Sequence, residues 1–160
     1  FDVTVRLPAD RRVISELQSI PIPRHEGGYV NLGSVSKSMT ATLQFSDQLI
    51  ADVLCSALEG GSNSTTLAFQ STSGAVFPHL DYPMNPGGAV YLREIAEDES
   101  DFTGPRHCLT RAALQRGLAL MADPTKAPPR HLLAILTEKF DAETGDVLLQ
   151  LALLGKIKYG

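Results

Sequence analysis

His79 and Asp81 stand two residues apart. On an extended strand both side chains project from one face, where imidazole and carboxylate could act as a base and its orienting partner on a water molecule. No G-x-S-x-G turn supplies a nucleophile, and His-x-Asp pairs are common in turns, so the pair is kept as a candidate and no catalytic residue is assigned. A second candidate is the polar run Glu59, Gly60, Gly61, Ser62 and Asn63, whose backbone amides and short side chains could face an anion or a sugar. No lysine follows it and no helix start receives the ligand, so it is not a phosphate loop, and a helix cap with an Asx turn explains the same residues. Tyr82 and Asn85, beside the N-P-G-G turn, could stack on and hydrogen-bond a base or sugar, although such a turn also simply reverses a strand. Arg93, Arg116, Arg130 and His131 are the cations to test for anion contact, because a guanidinium grips phosphate in a bidentate way. The acids Asp141, Glu143 and Asp146 could ligate Mg²⁺ or Ca²⁺, but their spacing is not that of a calcium loop. Complementing a helix dipole accounts for them, so no metal and no cofactor are expected.

Several elements must position these groups. Val3, Val5 and Leu7 alternate with polar residues until Pro8, the period of a half-buried strand. Residues 19–38 are rich in proline, glycine and serine and predict an extended loop. Met39, Ala41, Leu43 and Phe45 alternate again and predict a strand lying beside the first. Ser46 then caps a helix with the apolar stripe Leu49, Ile50, Val53, Leu54, Ala57 and Leu58, ending at Gly60. Strands are predicted over residues 65–70, 75–79 and 89–95, and an exposed acidic connection over 94–104. Thr110 caps a helix whose buried face is Leu114, Gly117, Leu118 and Met121, with Pro124 closing the segment. Pro128 and Pro129 open another, with Leu132, Leu133, Leu136 and Phe140 at helical spacing. Residues 141–155 predict a last helix with almost no polar face, one that belongs against a sheet or a partner subunit, and residues 156–160 predict a closing edge strand. Strands early and helices late make an α+β domain: a small, mainly antiparallel sheet against about four helices concentrated in the C-terminal half.

At 160 residues and 43% apolar content the chain can bury an ordinary core, and one domain is expected over residues 1–160, with 1–38 as a loop-rich extension. A net charge of −4 without a lysine-arginine stripe argues against nucleic-acid binding. Cys55 and Cys108 lack the spacing of a metal or C-x-x-C site and fit a reducing compartment. No apolar run reaches the roughly 20 residues of a membrane span, and the opening residues lack a signal-peptide core, so a soluble protein is expected.

Five blocks follow one another along the chain: A-L-E-G-G-S-N from Ala57, H-x-D-Y-P-x-N-P-G-G from His79, R-G-L-x-x-M-A from Arg116, P-R-H from Pro129, and D-A-E-T-G-D-V-x-L-Q from Asp141. In this order they resemble a family of small proteins encoded by bacteriophages and prophages, without an assigned activity; the likeness covers residues 39–160. Members of that family carry aromatic residues after the asparagine, where this chain reads Ser62-Asn63-Ser64-Thr65, so no stacking role is carried over. The resemblance implies a phage or prophage origin and a bacterial host cytoplasm. The first functional expectation is an accessory protein that binds, capturing a small anionic ligand such as a host signalling nucleotide or blocking a host defence protein. A phage structural or assembly protein is the second, and a small hydrolase using His79 and Asp81 the third. Homo-oligomerisation is expected from the apolar last helix.

Overall fold

The structure, a computed structural model, describes residues 1–8, 31–32, 38–59, 67–69, 89–94 and 105–159. Strand β1 (Asp2–Pro8) pairs antiparallel with β3 (Ser38–Gln44), from Asp2 opposite Gln44 to Pro8 opposite Ser38. Phe1 and Phe45 extend the ladder by one pair, at 2.9 Å and 2.8 Å. Alternation settles the register. Val3 lies opposite Leu43 and Val5 opposite Ala41, all buried, while Thr4 and Thr40 face water; a slip of one residue would turn every apolar side chain outward. Ala41, Leu43 and Phe45 face inward as predicted, and the side chain of Met39 lies outside the described residues.

The expected loop over residues 19–38 needs one correction, because β2 (Asn31–Leu32) adds to the other edge of β3 and Ser38 already belongs to β3. Two paired residues have no period to see, since a partner rather than a pattern makes them a strand. A second sheet orders β4 (Leu67–Phe69), β5 (Ala89–Glu94) and β6 (Arg106–Thr110), all antiparallel. Strand β6 escapes the sequence pattern because Leu109 is its one buried residue. So the fold is α+β with two small antiparallel sheets in place of the single sheet expected. The strand predicted over 75–79, the glycine cap at Gly60 and the acidic connection lie outside the described residues.

Four helices are described. In α1 (Asp47–Glu59), the Ser46 hydroxyl accepts from the Leu49 amide at 3.1 Å, and Ile50, Val53, Leu54 and Ala57 are buried. Asp47 forms a two-pronged pair with Arg111, 2.7 Å on each prong, and this guanidinium holds the Asp47 carboxyl below its ordinary range. Helix α2 (Arg111–Met121) starts where β6 stops: Thr110 ends the strand and its hydroxyl accepts from the Ala113 amide at 3.2 Å. All four residues of the predicted face, Leu114, Gly117, Leu118 and Met121, are buried.

Helix α3 (Pro129–Leu136) opens on a proline whose missing N–H costs nothing in a first turn. Its buried face is His131 and Ile135, with Leu132 and Leu136 packed at the edge. The predicted stripe is corrected here: Leu133 is 48% exposed, and Phe140 lies beyond the helix end although it still packs on the core. Helix α4 (Ala142–Leu154) is capped at its start by Asp141 and at its end by Gly155, whose φ of 70° is easy only without a Cβ.

Every residue of α4 from Thr144 to Ala152 is buried, because α1, α2, α3 and β6 all pack on it. Covering a helix with almost no polar face from several sides is what its sequence requires. The chain's own elements do this, so the exposed apolar helix on which the homo-oligomer expectation rested does not occur. Residues 156–159 are not the closing strand that was expected; they run irregularly across α4. Among the described residues no helix is long and apolar enough to cross a membrane.

Candidate functional site

Where α3 and α4 begin, the fold brings together Arg130, His131, Asp141, Glu143 and Thr144. Helix α3 presents Arg130 outward and His131 inward. His131 is buried; its Nδ1 lies 3.3 Å from the Thr144 hydroxyl, and Arg130 Nε–H points at its Nε2 at 3.4 Å. An N–H aimed at Nε2 makes that nitrogen the acceptor, which puts the imidazole proton on Nδ1, toward Thr144. Burial, and next the Arg130 cation, push the His131 pKa down, partly offset by Glu143 and Asp141. Asp141 accepts from the Thr144 amide at 2.9 Å, and bonds from that amide and hydroxyl lower its carboxyl's pKa. Both ring nitrogens of His131 are engaged inside the protein, so this is a neutral structural imidazole rather than a base open to substrate.

The sign of its effect on stability follows. Folding depresses the His131 pKa below its usual 6.5, so the unfolded chain binds more protons as acidity rises. Stability is complete above pH 6.5 and is lost as pH falls through the folded pKa; Asp141 acts with the same sign further down, below 3.8. Urea midpoints between pH 7.5 and 5 should fall for the wild type and stay nearly flat for His131→Gln. Parallel profiles would remove this account.

Arg130 differs from its neighbour. Its Nη2 pairs with Glu143 at 2.6 Å while the two side chains remain 67% and 60% exposed. Such a pair is worth about 0–1 kcal/mol and exchanges readily for another anion. Helix α3 itself starts without a side-chain cap: Pro129 has no N–H to satisfy, and the His131 amide donates to the Pro128 carbonyl at 3.2 Å.

The last turn of α1 reaches the same place. The Ser56 hydroxyl meets the Asp141 carbonyl at 3.3 Å, and Gly145 fits against Val53 and Ala57, where a Cβ would sit 2.5 Å from the Val53 carbonyl oxygen. Ala57, the first residue of one block, and the blocks beginning at Pro129 and Asp141 therefore meet at one end of α4. A fourth holds Gly117, where a Cβ would come 2.9 Å from Ala152 of α4. At both positions close helix packing asks for a residue without a Cβ.

The remaining candidates are dispersed. Glu59 closes α1, with its side chain outside the described residues, as are Gly60, Gly61, Ser62, Asn63, His79, Asp81, Tyr82 and Asn85 altogether. Arg93 lies in β5, opposite Ala68 and Arg106, in the second sheet, and its side chain too is outside the described residues. Arg116 is exposed on α2. Of the three acids, Asp141 caps α4, Glu143 pairs with Arg130 and Asp146 is buried beside Gln150; among the described residues no group of three or more His, Cys, Asp or Glu is placed to hold a metal ion.

Sequence reasoning passed over Gln150, the most buried polar side chain described. Its signal was there: a glutamine amid V-L-L-Q-L-A-L-L cannot be buried without partners, so such a residue announces a polar network. The chain matches no protein-family model, no curated protein and no solved structure.

Proposed function

We propose that this chain is an accessory protein of a phage or prophage that works in the host cytoplasm by binding, with its contact end where α1 finishes and α3 and α4 begin. The observation that carries this reading is the uncapped start of α3 bearing the exposed Arg130. The positive end of a helix and a guanidinium together favour an anion. Glu143 acts there as an internal counter-ion that an incoming phosphate or carboxylate displaces. Ligands of this chemistry include a host signalling nucleotide. The block order around Ala57, Pro129 and Asp141 supports the phage origin, and the buried, doubly engaged His131 supports binding over catalysis at this place.

A thermal-shift screen against nucleotides, cyclic nucleotides and nucleotide sugars tests the proposal. A true ligand at about five times its dissociation constant should raise the midpoint by roughly 2–4 °C, about 1 kcal/mol of linkage. Arg130→Ala should abolish the rise, while Glu143→Gln, which removes the competing carboxylate, should keep or enlarge it. A flat screen of the folded protein, or a rise indifferent to Arg130→Ala, would sink anion capture at this end.

A further inference from the structure

Arg130 is held at two points. Its Nη2 pairs with Glu143 at 2.6 Å, and its Nε donates to His131 Nε2 at 3.4 Å. Neighbouring positions on a helix point about 100° apart, so the guanidinium reaches the ring of the next residue only by folding back over the start of α3. Of the five N–H donors of an arginine, one on Nε and one on Nη2 are used, and the remaining three sit on a side chain that is 67% exposed. Fixing a long side chain before a ligand arrives removes part of the entropy that binding would otherwise cost.

The second of these points works only with a neutral ring. A lone pair on Nε2 receives the Arg130 N–H, and Nδ1, beside the Thr144 hydroxyl at 3.3 Å, carries the ring proton. A proton added at Nε2 takes up that lone pair and sets two cations against each other at the same spot. The charges that act on the ring are Arg130 on its own helix and Glu143 and Asp141 at the start of α4; α2, which also packs on α3, adds none. Burial and Arg130 keep the ring neutral at pH 7, and the two carboxylates work the other way. His131 itself is only 3% exposed, so it meets no ligand and acts through Arg130.

We propose that His131 is a positioning residue for Arg130: the neutral ring holds the guanidinium ready for an anion at the start of α3, and protonation of the ring releases it. The inference rests on the anion reading given above and adds its control, by which capture weakens in acid. A cation gained beside an anion site ordinarily strengthens binding, so the sign separates this control from simple charge.

NMR of the intact protein from neutral pH into mild acid, with and without sulfate, tests both parts, because sulfate keeps its charge over this range. Without sulfate at neutral pH, the Arg130 Nε–H should exchange with water roughly 2- to 10-fold more slowly than that of the exposed Arg116, the protection of one hydrogen bond. Relative to Arg116 it should lose that protection with the midpoint of the His131 ring, below 6.5. The ring nitrogen shifts should place the neutral proton on Nδ1. Sulfate affinity should fall roughly 2- to 10-fold across the same midpoint in the wild type, whereas in His131→Phe it should be weak at neutral pH and should not fall in acid. An Arg130 Nε–H that exchanges like that of Arg116 at neutral pH, a ring proton on Nε2, or a ring that does not titrate while the protein is folded overturns the positioning. Sulfate bound as tightly or more tightly on the acid side overturns the control and spares the anion reading. Sulfate bound at no pH overturns the anion reading, and the Nε–H then decides by itself whether His131 holds Arg130. Should His131→Phe not fold, the wild-type titrations still give each of these answers.

Discussion

Gly145→Val lowers the stability of this protein by about 3 kcal/mol, the upper part of the range for overpacking a tight contact. A Cβ at this position would lie 2.5 Å from the Val53 carbonyl oxygen, 2.7 Å from the Ala57 Cβ and 3.1 Å from the Ala57 amide nitrogen. Two of the three atoms are backbone, so no rotamer change relieves the contact. Helix α1 or α4 has to move. In an exposed helix, replacing glycine by alanine would add about 1 kcal/mol of stability; here that gain is smaller than the clash. Gly145→Ala should therefore also destabilise, by about 1–2 kcal/mol net, and valine more, since its branches meet the same wall. Urea denaturation checks this through a lower midpoint at unchanged slope. An alanine variant as stable as the wild type would mean that α1 gives way freely, and the close approach of the two helices would then not matter. A displaced α1 also takes Ser56 from the Asp141 carbonyl, so the valine variant should weaken any binding at that end of α4.

Gln150→Leu costs a similar amount, about 3 kcal/mol, for a different reason. Leucine nearly fills the space of glutamine but takes this donor from the buried Asp146 carboxylate and removes the bonds of this side chain to the Lys158 and Tyr159 backbone. Losing a hydrogen bond at a buried polar group costs about 1–3 kcal/mol, reduced where another partner or water takes its place. Gln150→Glu is the sharper probe. It places a second carboxyl against Asp146 Oδ2, now 2.7 Å from the amide nitrogen, and two carboxylates at that range cannot both stay ionised. One takes a raised pKa, so the folded protein binds a proton that the unfolded chain does not; stability is lower at neutral pH and recovers as pH falls through the raised value. Midpoints at pH 7 and 5 should converge toward the wild type on the acid side. A Glu variant as stable as the wild type at pH 7 would count against a dry, tightly held network.

Much of the fold was legible because local pattern and tertiary demand agree in it. The alternation in β1 and β3, the Ser46 and Thr110 caps and the stripe on α2 each follow from a period or from one hydroxyl able to reach an amide three residues on. Strands β2 and β6 were not legible, since pairing makes the one and Leu109 alone is buried in the other. Arg130 and His131 were named together as cations, and neighbouring positions on a helix turn by about 100°, so one faces water and the other the core. Which of them faced in depended on Thr144 and the start of α4.

By itself the sequence determined the type of most elements, the caps at Ser46 and Thr110 and the α+β class, because these depend on residues within a few positions of one another. Only the tertiary structure decided that the chain's own helices pack on α4, that Gly117 and Gly145 are contact points, that His131 is enclosed with its pKa pushed down, and that Gln150 bonds the backbone of Lys158 and Tyr159. These depend on which atoms meet across the chain, and burial gives the same side chain a different chemistry from the one it has in water.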